Sequence, residues 1–147
     1  MRRNKNPTKN NPFAACDGVQ KNRPFIIITG KMIKSKNYQN LSNDAKYILN
    51  CCKYCRVYHT KEPIQDNVLY FYFNRSLQKQ FNLNNPNKVN KALRELIKSG
   101  FIDVVENNGL RRQKNIYCFS DKWQEIDNGK QIILSDAAKV FLRDSNT

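Results

Sequence analysis

One stretch of the chain, residues 84–119, constrains the fold most because it predicts a helix followed at once by a β-hairpin. Asn85 can cap the helix, and Pro86 suits its first position. Gly100 follows the last expected turn as a stop signal. The helix should therefore span about thirteen residues and end directly before the first hairpin strand.

The hairpin is predicted from the composition of residues 101–105 and 115–119, which are rich in β-branched and aromatic side chains. Asn108 and Gly109 between them form a strong turn signal. Because no spare residues separate the helix from the hairpin, both should belong to one rigid unit. The hairpin loop carries three basic side chains: Arg111, Arg112 and Lys114.

The predicted helix has two chemically different faces. Its apolar stripe should pack on a core and consists of Val89, Ala92, Leu93, Leu96 and Ile97. The second face should meet solvent or a polyanion and consists of Asn87, Lys91, Arg94 and Lys98. Charge on one helix face is common in soluble proteins, and so are hairpins. A basic helix face and a basic loop on one unit together favour nucleic acid.

Upstream residues predict two more helices and a strand. Ser42 should cap a helix that runs to Tyr58, and residues 68–73 have the composition of a strand. Ser76 should cap a short helix from Leu77 to about Phe81, which a turn joins to the long helix as a helix-turn-helix. The core stripe of the first helix should contain Ala45, Ile48, Leu49, Cys52 and Cys55.

Two other segments are less distinctive. Residues 24–29 are apolar and could form an edge strand or an extended segment on the core. Ser135 should cap a final helix, which could form a dimer interface or pack on its own domain. Trp123 is expected to be a core or lid residue.

This order of elements predicts an α+β fold, a winged helix-turn-helix. Its three-helix core would carry a small antiparallel sheet, in which the early strand pairs with the β-hairpin wing, and a C-terminal helix would follow. The predicted divisions are a flexible basic arm at 1–23, a winged-helix DNA-binding domain at 24–126 and a C-terminal helical extension at 127–147. The arm could follow phosphates or enter a minor groove, or only aid solubility.

The charge of the chain agrees with a polyanionic partner. It has 26 basic and 12 acidic residues among 147, a formal net charge of +14 and a pI near 9.8. No apolar run approaches the roughly 20 residues that span a bilayer, and the N-terminus lacks the features of a secretory signal. We therefore expect a cytoplasmic protein without membrane contact, and free thiols at its five cysteines.

Catalytic and metal-binding readings have little support in the sequence. Cys51, Cys55 and His59 have helical spacing that could suit zinc, with Cys52 beside them, but cysteines within an amphipathic helix usually act as small apolar fillers. The single histidine has no evident carboxylate partner, and the acidic residues are scattered. We expect no enzyme activity, no metal, no cofactor and no small-molecule substrate.

The chain resembles the winged-helix domain of plasmid and phage replication initiators from low-GC bacteria. The resemblance covers roughly residues 25–123 and rests on LSNDAKYIL, LYFYFNRS, KVNKALRELIKSGFIDV and the wing ending NIYCF. It implies that the long helix enters a major groove, with Asn84, Asn87, Lys88, Asn90, Lys91 and Arg94 offered to bases or phosphates and Lys98 more peripheral. It also implies that Ser76 and Gln78 position the DNA backbone, and that Arg111, Arg112 and Lys114 reach phosphates or a flanking minor groove.

The expected function is non-catalytic, sequence-specific binding of double-stranded DNA at a replication origin or operator of a mobile element, with a homodimer as an option. A transcriptional regulator of the same fold is the nearest alternative. An RNA-binding or ribosome-associated protein would instead use the arm and the aromatic strand at residues 70–73 as a stacking platform. A third alternative is a winged helix that docks on a protein partner.

Overall fold

The structure, a computed structural model, describes residues 26, 28–58, 70–107 and 115–144. Within these ranges the chain forms seven helices and three strands. They are α1 (Gly30–Lys34), α2 (Lys36–Gln39), α3 (Asn43–Tyr58), β1 (Tyr70–Tyr72), α4 (Arg75–Gln80), α5 (Pro86–Lys98), β2 (Ile102–Glu106), β3 (Ile116–Phe119), α6 (Trp123–Asp127) and α7 (Asp136–Asp144). The predicted basic arm at 1–23 and the turn at Asn108 and Gly109 lie outside the described residues.

The three strands form one antiparallel sheet in the order β1-β3-β2. Tyr117 in the central strand lies opposite Phe71 of β1 on one side and Val104 of β2 on the other. A register shift follows Val104. The prediction that the early strand pairs with the hairpin strands is therefore confirmed, and the chain is α+β.

Helices α3 and α5 pack on each other and on the sheet, and their apolar stripes form the core. Every residue predicted for the two stripes is buried. The caps are as predicted at both helices, because Ser42 Oγ accepts from the backbone N–H of Ala45 at 3.1 Å and Asn85 precedes Pro86 as the N-cap of α5. Burying these stripes is what fixes α5 against the sheet.

The start of the short helix was wrongly predicted. Helix α4 begins at Arg75, and Asn74 rather than Ser76 is its cap, because Asn74 Oδ1 accepts from the backbone N–H of Leu77 at 3.0 Å. Asn74 has the extended backbone of a cap, with φ −82° and ψ 176°, whereas Ser76 already lies within the helix.

The sequence did not predict α1 and α2, which are five and four residues long. Thr29 caps α1 and Ser35 caps α2, each through its side-chain oxygen. The described residues Ile26 and Ile28, within the segment for which an edge strand was one option, belong to no strand. Asn37 of α2 donates its backbone N–H to Asp127 Oδ1 at 2.9 Å, which ties α2 to α6.

The C-terminal elements pack back on the same core. Trp123 is buried and stacks on Phe101 with ring centroids 5.7 Å apart, so its predicted core role is confirmed. Ser135 Oγ caps α7 through the N–H of Ala138, as predicted, and also donates to Asp103 Oδ1 of β2 at 2.7 Å. Among the described residues, no helix is long and apolar enough to cross a bilayer.

Candidate nucleic-acid interface

The candidate interface is the face of α5 that points away from the core. Its apolar residues are buried on one side, and successive residues in a helix are about 100° apart, so the opposite side is centred on Asn87, Lys91, Arg94 and Lys98. We call these four residues the outer face. Asn87, Lys91 and Lys98 are exposed, whereas Arg94 is half-buried and already takes part in an interaction within the chain.

One flank of α5 is used to hold the helix in place. Glu95 accepts two hydrogen bonds from Ser42, one from its backbone N–H and one from its hydroxyl, both at 2.7 Å. Two helical turns earlier, Lys88 Nζ lies 3.6 Å from Asp44 Oδ2 in an exposed ion pair. The two contacts join α5 to the first turn of α3, so the orientation of the outer face is set by the fold.

The turn before α5 is also fixed by specific contacts. Asn82 has a left-handed backbone with φ 60°, which asparagine tolerates better than most residues. Leu83 N–H donates to the carbonyl of Gln78 at 3.1 Å, and Tyr47 Oη donates to the carbonyl of Phe81 at 3.1 Å. These bonds set how α4 meets α5, which is the geometry that a helix-turn-helix depends on.

The residues proposed as DNA contacts differ in their surroundings. Asn84, Asn87, Lys88, Asn90, Lys91, Lys98 and Ser76 are all exposed. Asn84 donates its amide to Asn82 Oδ1 at 3.0 Å, so part of its hydrogen-bonding capacity is used within the turn. The wing residues Arg111, Arg112 and Lys114 lie outside the described residues.

Gln78 does not fit the role that the resemblance implied. Its side chain is only 6% exposed, and its Nε2 donates to the carbonyl of Phe73 at 2.8 Å. That bond gives the backbone carbonyl of Phe73, between β1 and α4, a buried hydrogen-bond partner. Gln78 therefore lies in the interior between β1 and α4, and its amide donates to the protein backbone.

Two basic residues beside Ser76 were missed in the sequence. Arg75 and Lys79 are exposed on α4 and lie four residues apart, so their side chains share one helix face. The signal was present in the segment RSLQKQ, but placing the helix start at Ser76 left Arg75 outside the helix. With these two residues, both α4 and α5 carry exposed positive charge.

The described cysteines are structural. Cys51, Cys52 and Cys55 are buried, and burial raises the pKa of Cys51 to about 11 and of Cys55 to about 12. Burial likewise raises the pKa of Cys118 to about 11. Thiols with raised pKa values are poor nucleophiles and poor metal ligands at neutral pH. No group of three or more His, Cys, Asp and Glu side chains suited to a metal ion occurs in the ranges that the structure describes, which do not include His59.

Comparisons with family models, with curated proteins and with solved structures find no match to this chain.

Proposed function

We propose that this chain is a non-catalytic winged-helix protein that binds double-stranded DNA in a sequence-specific way. The order α3, β1, α4, α5, β2, β3, with β1 paired to β3, is the order expected for a winged helix. The observation that carries the proposal is the outer face of α5, which combines the exposed amide of Asn87 with the exposed amines of Lys91 and Lys98 on a helix braced by Glu95.

The proposed mechanism places α5 in the major groove, which is wide enough to admit a helix. Asn87, Asn90 and Lys91 would face base edges, because amides and amines are the groups that read the donor and acceptor pattern there. Lys98, at the last turn, would lie nearer the phosphates. Since Glu95 and the buried stripe fix α5 before binding, little conformational entropy is lost when DNA is bound.

Phosphate contacts would come from the elements beside α5. Arg75, Ser76 and Lys79 are exposed on α4, which precedes α5 in the helix-turn-helix. Arg111, Arg112 and Lys114 of the hairpin loop remain proposed phosphate or minor-groove contacts on sequence grounds. Contacts of this kind fix the register of the protein on the duplex and make affinity depend on salt.

The biological setting that we propose is a replication origin or operator of a plasmid, phage or other mobile element, in the cytoplasm. It rests on the sequence resemblance to replication initiators; a transcriptional role for the same fold uses the same surface. The RNA alternative has less support, because Phe71 and Phe73 are buried in the core and cannot stack on bases, and Tyr70 and Tyr72 are only partly exposed.

The test is selection of bound sites from a random duplex library at about physiological salt, where base contacts must outcompete nonspecific phosphate binding. We expect a defined site, and we expect Lys91→Ala to weaken binding to it. Lys139→Ala is the matched control, because Lys139 is exposed on α7, outside the helix-turn-helix. Failure to enrich any duplex, or equal loss from both variants, would contradict the proposal. Stronger binding to an RNA competitor of equal length would favour the RNA alternative.

A further inference from the structure

We infer that the DNA site contains two neighbouring A·T base pairs, which Asn87 and Asn90 read from the major groove. This inference rests on the proposed function and specifies the sequence class of its target. It follows from which amides near the start of α5 are free and from their spacing.

Three of the five asparagines at residues 82–90 have local structural roles. Asn82 takes the left-handed backbone of the turn, and Asn84 donates its amide to the Asn82 side chain. Asn85 accepts from the N–H groups of residues 87 and 88 as the cap of α5. These three asparagines are committed to the turn and to the helix cap, which leaves two amides to consider.

The other two are Asn87 and Asn90. Both are exposed, and within the described part of the chain neither side-chain amide makes a hydrogen bond.

The residues that would read guanine are less available on this part of α5. Arg94 is half-buried and interacts within the chain, and Lys88 is paired with Asp44. Lys91 is exposed, but an amine on a flexible stem acts as a point charge and lacks the fixed fork of a guanidinium. The geometrically defined readers on this surface are therefore the two amides.

An asparagine amide matches adenine because it can accept from N6 and donate to N7 at the same time. Asn87 and Asn90 are three residues apart, a rise of about 4.5 Å along the helix axis with Cβ atoms about 5–6 Å apart. Base pairs stack at about 3.4 Å. Two amides at this spacing can therefore meet adjacent base pairs, and we propose that both of these are A·T pairs.

The experiment compares sites selected from a random duplex library by the full chain, by Asn87→Ala and by Asn90→Ala. Both positions are exposed in a helix, where alanine is well tolerated. We expect the parent chain to select two adjacent A·T pairs, and each variant to lose the preference at one of them. Asn128→Ala, at an exposed asparagine that follows α6, is the matched control and should select the parent site.

A second measurement tests the atom that is read. Replacing each selected adenine by 7-deazaadenine keeps base pairing but removes the N7 acceptor, and should weaken binding of the parent chain about 10-fold. The variant that lacks the matching asparagine should show no further loss. A defined site with G·C at these positions, or unchanged preferences in both variants, would overturn this inference and leave the proposed function standing. Failure of the parent chain to select any duplex would overturn both.

Discussion

Gly100 lies where the chain turns from α5 into β2, at a position that admits no side chain. Its φ is +81°, and a Cβ atom there would lie 2.5 Å from the backbone nitrogen of Trp123. We expect Gly100→Ala to lower the free energy of unfolding by about 3 kcal/mol or more, because the left-handed backbone and the overlap both cost free energy. Urea unfolding measures this change.

Gly129 supplies the control for this substitution. Its φ of +79° is nearly the same, but a Cβ atom there would meet nothing within 4 Å. Gly129→Ala should therefore lower the free energy of unfolding by only the cost of a left-handed backbone at alanine, about 1 kcal/mol. If both variants lose the same free energy of unfolding, the close approach of Trp123 to Gly100 is not a source of strain.

The buried thiols predict how stability changes at alkaline pH. Burial raises the pKa of Cys55 from an ordinary 9.0 to about 12, and that of Cys51 to about 11. Below about pH 8 the thiols keep their protons in both states, so the contribution to stability is complete. At higher pH the thiols of the unfolded state ionise first, and stability falls as pH rises toward the folded pKa values.

We expect the free energy of unfolding to fall by on the order of 1 kcal/mol per buried thiol between about pH 8 and pH 10. Urea unfolding across this range measures it. Cys55→Ala should be less stable overall but should lose less stability with rising pH than the parent chain. Parallel pH profiles for the two proteins would contradict the assignment to Cys55.

At the scale of elements, the contact between α5 and α3 depends on one carboxylate. Glu95 accepts from both the N–H and the hydroxyl of Ser42, and hydrogen bonds to a charged acceptor are stronger than neutral ones. Glu95→Gln should lower the free energy of unfolding by about 1–2 kcal/mol. Glu125→Gln, at an exposed position on α6, should change it little.

A double-mutant cycle with Ser42→Ala isolates this contact in urea unfolding. If the Glu95 bonds to Ser42 carry the effect, Glu95→Gln should cost less in the Ser42→Ala background, although the backbone N–H remains. Additive losses would mean that Glu95 stabilises α5 in another way.

Helix α7 is predicted to stabilise the domain to which it belongs. Phe141 is 8% exposed and meets the Tyr117 ring edge-on, with centroids 6.2 Å apart. Phe141→Ala should lower the free energy of unfolding by about 3 kcal/mol because it leaves a cavity beside the central strand. Ile133→Ala, at a side chain that is 82% exposed, should change it by less than about 0.5 kcal/mol. A loss confined to dimer dissociation, measured by sedimentation, would contradict this role.

Local patterns in the sequence were enough to predict α3, α5, the three strands and α7. The stripe of α5 and its ends at Asn85 and Gly100 are set by neighbouring residues, so they could be found without the fold. The bond between Ser42 and Glu95 joins residues 53 apart, so local patterns could not predict it. Gln78 was misjudged for the same reason, because only the fold shows that Phe73 offers it a buried carbonyl. The short helices α1 and α2 have too few residues for a periodic signal.

At the scale of the whole molecule, a formal net charge of +14 should attract DNA from a distance whatever its sequence. Local phosphate contacts can be separated from this general attraction by the salt dependence of binding. The logarithm of the binding constant falls linearly with the logarithm of salt concentration, with a slope that counts neutralised phosphates.

If Arg75 and Lys79 contact phosphates, Arg75→Ala and Lys79→Ala should each reduce the magnitude of this slope by about 1. Lys139→Ala removes the same charge from α7 and should leave the slope unchanged. Fluorescence anisotropy with a labelled duplex at several salt concentrations measures all three. If the three variants reduce the slope equally, attraction depends on net charge alone, and the basic face of α4 is not part of the interface. A reduction confined to α4 would place that helix on the DNA backbone, beside the groove that α5 is proposed to enter.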